Sequence, residues 1–260
     1  MCVIIVALGQ SSRYPFIVAA NRDEYYNRPA VAADYWPDLP QIIAGRDEQA
    51  GGTWLGLSRR GRFAAITNHH EPGRHNSRLQ SRGKLVSGFL AADQSVVEYS
   101  QLLDDSGQDY NGYGLIFGDF SRLRYQTNRD RQIVDITEGV HGLSNHFLNT
   151  PWPRVEEGKR RLLKLSQSED HIDAERIFDI LLDSDTAGMG QRHPEQDAST
   201  TIPAVDPSRL PIFIRTKDYG TRSSSVILVS REGMVTFHER TFEPSSDRIL
   251  CQRTFEYEIQ

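Results

Sequence analysis

Two stretches near the start of the chain each predict a hairpin, the first from two apolar runs joined by a polar turn and the second from a Gly-rich strand and its return strand. In the first hairpin, residues 1–8 and Phe16–Glu24 form the strands and Gly9–Pro15 forms the turn. In the second hairpin, Gly51–Ser58 and Arg62–Asn68 form the strands. Because hairpin strands are antiparallel, the first hairpin returns charged residues to the start of the chain.

Helices are predicted in two pairs, from apolar residues that recur every three or four positions. The first pair is Ser81–Ala91 and Val96–Leu103, and the second is a helix that ends at Leu165 followed by Asp173–Leu182. A meander of strands separates the pairs, and a closing hairpin with an edge strand follows them. These strands are Tyr113–Gly118, Leu123–Thr127 and Ile133–Ile136, then Tyr219–Val229, Met234–Phe242 and Ile249–Ile259.

Strands and helices therefore occur in runs and do not alternate singly, which indicates antiparallel sheets with helices on their outer faces. The predicted fold is α+β: a four-layer αββα sandwich of two mainly antiparallel sheets, in a single domain over residues 1–260. Two stretches that contain several prolines, Tyr25–Ile42 and Asp183–Arg209, are expected to be loops.

The composition is that of a globular protein, with 38% hydrophobic and 25% charged residues. A net charge of -5 argues against nucleic acid as the main partner. No run of about eighteen apolar residues predicts a membrane span, and the apolar start lacks the basic leader of a signal peptide, so we expect a cytoplasmic protein. Cys2 and Cys251 lack metal-ligand spacing and are expected to be free thiols.

The position of Cys2 is its main chemical feature. If Met1 is removed, Cys2 carries both a thiol nucleophile and an α-amine that can accept the proton of the thiol. The ordinary pKa values are about 8 for the amine and about 8.5 for the thiol, so a nearby cation would give some thiolate near neutral pH. Arg22 is the nearest such cation in the sequence. The alternative is that Cys2 is a small buried apolar residue.

Several short motifs, distributed over nearly the whole chain, together point to a family. They are Cys2 after the initiator, Ala20-Asn21-Arg22-Asp23-Glu24, Gly52-Thr53-Trp54-Leu55-Gly56, Thr67-Asn68, Gly142-Leu143-Ser144-Asn145, Thr150-Pro151-Trp152-Pro153 and Tyr219-Gly220-Thr221-Arg222-Ser223-Ser224. As a set they resemble the NRDE family, whose best-known members are the homologues of transport and Golgi organisation protein 2. The resemblance implies a fold like that of the N-terminal nucleophile (Ntn) hydrolases. It also implies a distant similarity to the cholylglycine hydrolase and penicillin V acylase branch, which cleaves amide bonds with an N-terminal cysteine.

The resemblance also implies roles for individual residues. Cys2 is the nucleophile and, through its amine, the base, acting on a non-peptide amide or thioester bond of a small acyl compound. Asp23 orients the amine or the thiol, and Asn68 and Asn145 lie near the oxyanion. Arg222 lowers the pKa of the thiol or holds an acidic substrate group. The alternatives are turn capping for the two asparagines and a solvated strand position for Arg222.

Arg22 departs from the pattern of the acylase branch. In that branch the arginine usually precedes the aspartate by three positions, where this chain has Ala20, and Arg22 is instead adjacent to Asp23. Adjacent residues of a strand face opposite sides of the sheet, so Arg22 and Asp23 are not both expected to face the thiol. Arg22 is therefore either a cation beside Cys2 or a structural ion-pair partner.

A second function stays open, because eukaryotic relatives are associated with haem trafficking and with lipid or acyl-CoA homeostasis. The protein would then be a non-catalytic carrier of haem, lipid or acyl-CoA, whereas the hydrolase needs no cofactor. Five histidines next to the two asparagine motifs are candidate ligands of haem iron or a metal: His69, His70, His75, His141 and His146. Histidines in surface loops are the simpler interpretation of the same residues.

Overall fold

The computed structural model describes residues 2–168, 171–185 and 206–259, and these residues form two sheets and four α-helices. The strands are β1 (Cys2–Leu8), β2 (Phe16–Tyr25), β3 (Ala30–Trp36), β4 (Leu39–Asp47), β5 (Leu55–Ser58), β6 (Arg62–Asn68), β7 (Tyr113–Asp119), β8 (Leu123–Thr127), β9 (Ile133–Ile136), β10 (Gly139–Leu143), β11 (Tyr219–Val229), β12 (Met234–Phe242) and β13 (Ile249–Glu258). The helices are α1 (Gly83–Ala91), α2 (Val96–Ser106), α3 (Pro153–Ser168) and α4 (Ala174–Leu181).

The two sheets stack face to face between two layers of helices. The first sheet has the strand order β10-β1-β2-β11-β12-β13 and the second has the order β3-β4-β5-β6-β7-β8-β9. All strand pairings between these elements are antiparallel. Residues such as Ile4 and Phe63 form the core between the sheets. Ile5 packs with Ile177 under α3 and α4, and Phe89 of α1 packs on the second sheet. The predicted αββα sandwich is confirmed.

The predicted hairpins, helix pairs and edge strand all occur, but the expected loop over Tyr25–Ile42 is wrong. This stretch contains β3, the turn after it and the first residues of β4. Its prolines are compatible with strands because Pro29 and Pro37 lie just outside β3. Pro40 precedes the first residue of β4 that pairs with β5, so its missing N–H removes no hydrogen bond from that ladder.

Most of the predicted loop over Asp183–Arg209 lies outside the described residues. Within the described ranges, no helix is both long enough and apolar enough to cross a membrane.

Gly52 determines how closely the start of α1 approaches the second sheet. A Cβ atom at Gly52 would lie 2.5 Å from the carbonyl carbon of Gly83, the first residue of α1. The backbones also bond there, since Thr53 N–H donates to Gly83 O at 3.2 Å. The glycine of the Gly52-Thr53-Trp54 motif therefore permits backbone contact at the point where α1 begins.

Gly52→Ala should destabilise the protein by about 1 to 3 kcal/mol, because the added methyl group meets backbone atoms that cannot rotate away. Urea unfolding followed by circular dichroism measures this difference. A change below about 0.5 kcal/mol would mean that α1 moves freely from the second sheet and would contradict the close packing.

Candidate functional site

Cys2 begins a row of side chains that crosses the first sheet. The register pairs Cys2 with Arg22, Arg22 with Ser223, and Ser223 with Thr241. Directly paired residues of antiparallel strands point to the same face of a sheet. Ile4 on β1 faces the core between the sheets, and by alternation Cys2 faces the same side. The row therefore points between the two sheets.

At this end of the sandwich the sheets enclose a cavity of about 520 Å³. The first sheet contributes the row that begins at Cys2, and the second sheet contributes residues of β3, β4 and β6. A third wall comes from the segment that leads into α1, with Ser81 and Arg82, and from Gly83, the first residue of the helix. The walls are rich in charged side chains: Arg22, Asp23, Glu24, Arg28, Arg46, Asp47, Arg82, Arg222 and Glu239. The arrangement suits a polar or charged ligand.

The Cys2 thiol is buried, with 9% of the residue exposed, and it borders the cavity. Both cysteines are free thiols, as predicted. Burial raises the pKa of the Cys2 thiol, and the amino terminus and Arg22, which lower it, do not offset that effect. The expectation of some thiolate near neutral pH concerns Cys2 freed of Met1, and it stays a prediction. A buried thiol of this kind needs a base to take its proton during attack.

Arg22 combines the two roles that the sequence left open. It pairs directly with Cys2 across the strands and lines the cavity. Its Nη2 also lies 3.5 Å from Oδ2 of Asp47, the oxygen to which Arg28 Nε donates at 2.6 Å. Arg22 thus lies between the thiol and the acidic end of β4, and it is both a cation beside Cys2 and an ion-pair partner.

Glu239 is a buried carboxylate on the same cavity. It lies on β12, and its Oε1 accepts a hydrogen bond of 2.6 Å from the backbone N–H of Ala33 on β3. This bond joins the two sheets. Burial raises the pKa of Glu239 to about 7, and the Ala33 N–H and Arg22 oppose the shift.

Asp23 points to the opposite face of β2, toward α3. Its Oδ2 accepts a hydrogen bond of 2.8 Å from Arg154 Nη2, and both side chains are fully buried. Its Oδ1 accepts a bond of 2.8 Å from Thr221 Oγ1. Asp23 and Arg22 therefore face opposite sides, as strand alternation predicts, although Asp23 also borders the cavity at the strand end.

Arg222 lies at an irregularity in the pairing of β11 with β2, between Thr221 and Ser223. A bulge of this kind re-aims the side chain of the extra residue. Arg222 Nη1 donates to three backbone carbonyls, of Tyr25 at 2.9 Å, Tyr26 at 3.2 Å and Arg28 at 3.0 Å. Arg222 therefore holds the end of β2 and the turn after it, and it also lines the cavity.

Asn68 and Asn145 are adjacent but differ in what they face. Asn68 ends β6 and is an exposed residue that lines the cavity. Asn145 is buried and does not line it, which differs from the expectation that it would border the pocket. Its Nδ2 donates to Asn68 O at 3.0 Å, and its backbone has a φ of 54°, a left-handed conformation that asparagine tolerates. Asn145 therefore supports the backbone of Asn68.

The five candidate histidines do not converge on one point. Rings of His69 and His146 stack, with centroids 5.1 Å apart, and His146 Nδ1 bonds to Thr150 Oγ1. Of the five, all within the described ranges, His75 alone lines the large cavity. No group of three or more His, Cys, Asp or Glu side chains suited to a metal occurs in the part of the chain that the structure describes.

Three charged residues near the site were absent from the sequence-based set. Arg154 directly follows the Thr150–Pro153 motif. An arginine at a predicted helix start only weakly indicates a buried ion pair. Glu239 follows Val235 and Phe237 at a spacing of two, so alternation along β12 assigns it to the buried face. No comparable pattern distinguishes Arg82 from its neighbouring arginines.

The solved structures that share this fold include Ntn-type hydrolases. Penicillin V acylase from Agrobacterium tumefaciens superposes with a TM-score of 0.51 at 12% identity, over 99% of this chain and 86% of that one. The C2A mutant of conjugated bile acid hydrolase from Clostridium perfringens has a TM-score of 0.51 at 12% identity, over 99% and 97% of the two chains. At such low identity the likeness shows the fold, which is the Ntn-hydrolase sandwich.

The chain belongs to the Transport and Golgi organisation 2 family, whose model matches residues 1–244. It is 35% identical to the Transport and Golgi organization protein 2 homolog of Bos taurus over 276 residues, which cover 100% of both chains. It is 32% identical to the homolog of Homo sapiens, again over 100% of both chains. The resemblance to the NRDE family is confirmed.

Arg154→Met should destabilise the protein by about 3 to 5 kcal/mol, because it leaves the Asp23 carboxylate buried without its cation. Arg160→Met on the same helix is the matched control, since Arg160 pairs with Glu157 at the surface and is 63% exposed. Urea unfolding of both variants measures the difference. Equal losses in the two variants would contradict a specific contribution from the buried pair.

Glu239→Gln should change the pH dependence of stability. The pKa of Glu239 is raised from its ordinary 4.5 to about 7 in the folded protein, so the unfolded chain ionises first as the pH rises. The stability that the protonated carboxyl contributes is therefore present below about pH 4.5 and lost by about pH 7. Relative to wild type, Glu239→Gln should gain stability between about pH 5 and about pH 8, by up to ~3 kcal/mol.

Urea unfolding at about pH 5 and about pH 8 measures this gain in the free energy of unfolding. Glu256→Gln, a substitution at an exposed glutamate, is the control. A constant difference between Glu239→Gln and wild type would contradict the burial of an ionisable carboxyl.

Proposed function

We propose that the protein is an Ntn cysteine hydrolase that cleaves a non-peptide amide or thioester bond in a small acyl compound. The observation that carries the proposal is the position of the Cys2 thiol on the wall of a cavity of about 520 Å³, at the start of β1. The proposal requires removal of Met1, which gives Cys2 a free α-amine.

The amine supplies the base that a buried thiol needs. It takes the thiol proton as the sulfur attacks the carbonyl carbon of the substrate, and a C–S bond forms. Collapse of the tetrahedral intermediate breaks the C–N or C–S bond of the substrate, and the ammonium returns the proton to the leaving group. A water molecule, activated by the same amine, then hydrolyses the acyl-Cys2 thioester. No cofactor takes part in these steps.

Surrounding residues have roles that agree with their contacts. Arg22 stabilises negative charge on the sulfur, since it is paired with Cys2 across the strands. The Asn68 side chain lines the cavity and is our candidate donor to the oxyanion, with Asn145 holding its backbone. Asp23, held by Arg154 and Thr221 at the end of β2, orients the amine of processed Cys2.

Cys2→Ala should abolish the acyl adduct that forms when processed wild-type protein meets an activated acyl thioester or ester. The methyl group of alanine cannot form the C–S bond, whereas Cys251→Ala, the matched control, retains the nucleophile. Intact-mass spectrometry detects the adduct and also reports whether Met1 is absent.

An adduct of equal yield in Cys2→Ala would contradict the proposed hydrolase. Retained Met1 together with stoichiometric haem binding that changes spectrum when His69, His70 or His146 is replaced would favour the non-catalytic carrier.

A further inference from the structure

The arginines on the cavity wall differ in whether a carboxylate neutralises them. Arg22 and Arg28 pair with Asp47, and Arg46 pairs with Asp38. Two other arginines of the wall, Arg82 and Arg222, form no salt bridge to a carboxylate within the described ranges. Arg222 is engaged by three backbone carbonyls. Arg82 has one such bond, from Nη1 to Gly112 O at 2.9 Å.

Arg82 is also poorly solvated. Burial lowers its pKa to about 10, and the opposing effects of Glu24 and Cys2 are smaller. Arg82 and Cys2 line the same cavity, Arg82 from the segment that leads into α1 and Cys2 from the start of β1. A partly buried cation without a paired anion is costly, and a bound anion would offset this cost.

Among the described residues, none of the remaining carboxylates of the cavity forms a direct ion pair with Arg82, although Glu24 acts on it at longer range. Glu239 is bound to the Ala33 N–H, and its raised pKa reduces its negative charge near neutral pH. Asp23 is paired with Arg154, and the Glu24 carboxylate lies 4.0 Å from Arg28. The local charge near Arg82 is therefore positive, although the whole chain carries a net charge of -5.

We propose that Arg82 is an anion-binding subsite facing Cys2, and that the acyl compound attacked by Cys2 carries a carboxylate or a phosphate group. Anion binding by Arg82 does not depend on catalysis, whereas the assignment of that anion to the substrate rests on the proposed hydrolase function. An arginine suits either anion, because its planar fork donates two parallel hydrogen bonds to two oxygens.

Alkylation of Cys2 by two small reagents of similar size tests the subsite without any turnover. Iodoacetate carries a carboxylate and iodoacetamide is neutral, and Cys251 in the same chain is an internal reference. Relative to Cys251, Cys2 should react faster with iodoacetate than with iodoacetamide by roughly threefold or more at low ionic strength, as expected when the cavity carries a unit positive charge. Peptide mapping by mass spectrometry gives both rates.

Arg82→Gln should remove this preference, and Arg82→Lys should retain most of it. Arg78→Gln is the matched control, because Arg78 is an exposed arginine four positions away that does not line the cavity. An iodoacetamide rate at Cys2 that is unchanged in Arg82→Gln shows that the cavity keeps its shape. A wild-type protein without the preference, or a preference that survives in Arg82→Gln, would overturn the proposal.

Protection experiments identify the anion. Succinate and inorganic phosphate, each at tens of millimolar, are tested for slowing the reaction of Cys2 with iodoacetamide. Protection by one of them that disappears in Arg82→Gln supports the subsite and shows whether it favours carboxylate or phosphate. Protection by neither contradicts the proposal. Alkylation of Cys2 needs no catalysis. These experiments therefore test anion binding by Arg82 even if the protein proves not to be a hydrolase.

Discussion

Strand alternation at the end of β2 is the constraint on which the site depends. Arg22 and Asp23 are neighbours in the chain, so their side chains leave the sheet on opposite faces. Pairing of Cys2 with Arg22 sets the thiol on the side between the sheets. The same geometry sends the Asp23 carboxylate toward α3, where Arg154 neutralises it. A shift of one residue in this register would exchange the two environments.

Two kinds of buried charge result from this geometry. Under the first sheet, Asp23 and Arg154 form an ion pair in which both side chains are fully buried. Between the sheets, the arginines and carboxylates of the cavity are only partly matched, and Arg82 has no acidic partner in the described ranges. A matched pair stabilises the architecture at the end of β2. An unmatched cation in a cavity provides binding energy for a ligand of opposite charge.

Much of the fold could be predicted because its central strands are buried on both faces and its helices on one. Continuous apolar runs identified β1 and β2, and period-three to four spacing identified the helices. The strands β3 and β4 were missed because prolines at their ends indicate loops in a single sequence.

The site was predictable only in part. Cys2, Arg22 and Asp23 are close because they share one hairpin, which the sequence reveals. The contacts of Asp23 with Arg154 and of Asn145 with Asn68 join positions 131 and 77 residues apart. Such contacts follow from the stacking of layers, and local patterns carry no information about them. The irregularity at Arg222 is similarly invisible, since it depends on the register of two strands distant in sequence.

The most direct test of the account is a crystal structure of the protein alkylated at Cys2 with iodoacetamide. The added group marks the direction in which the sulfur presents itself to a ligand. We predict that it lies between the sheets, in the cavity bordered by Arg22 and Arg82, while the Asp23 carboxylate remains bonded to Arg154. An added group that points toward α3, or an Arg22 side chain on the face of Asp23, would contradict the account.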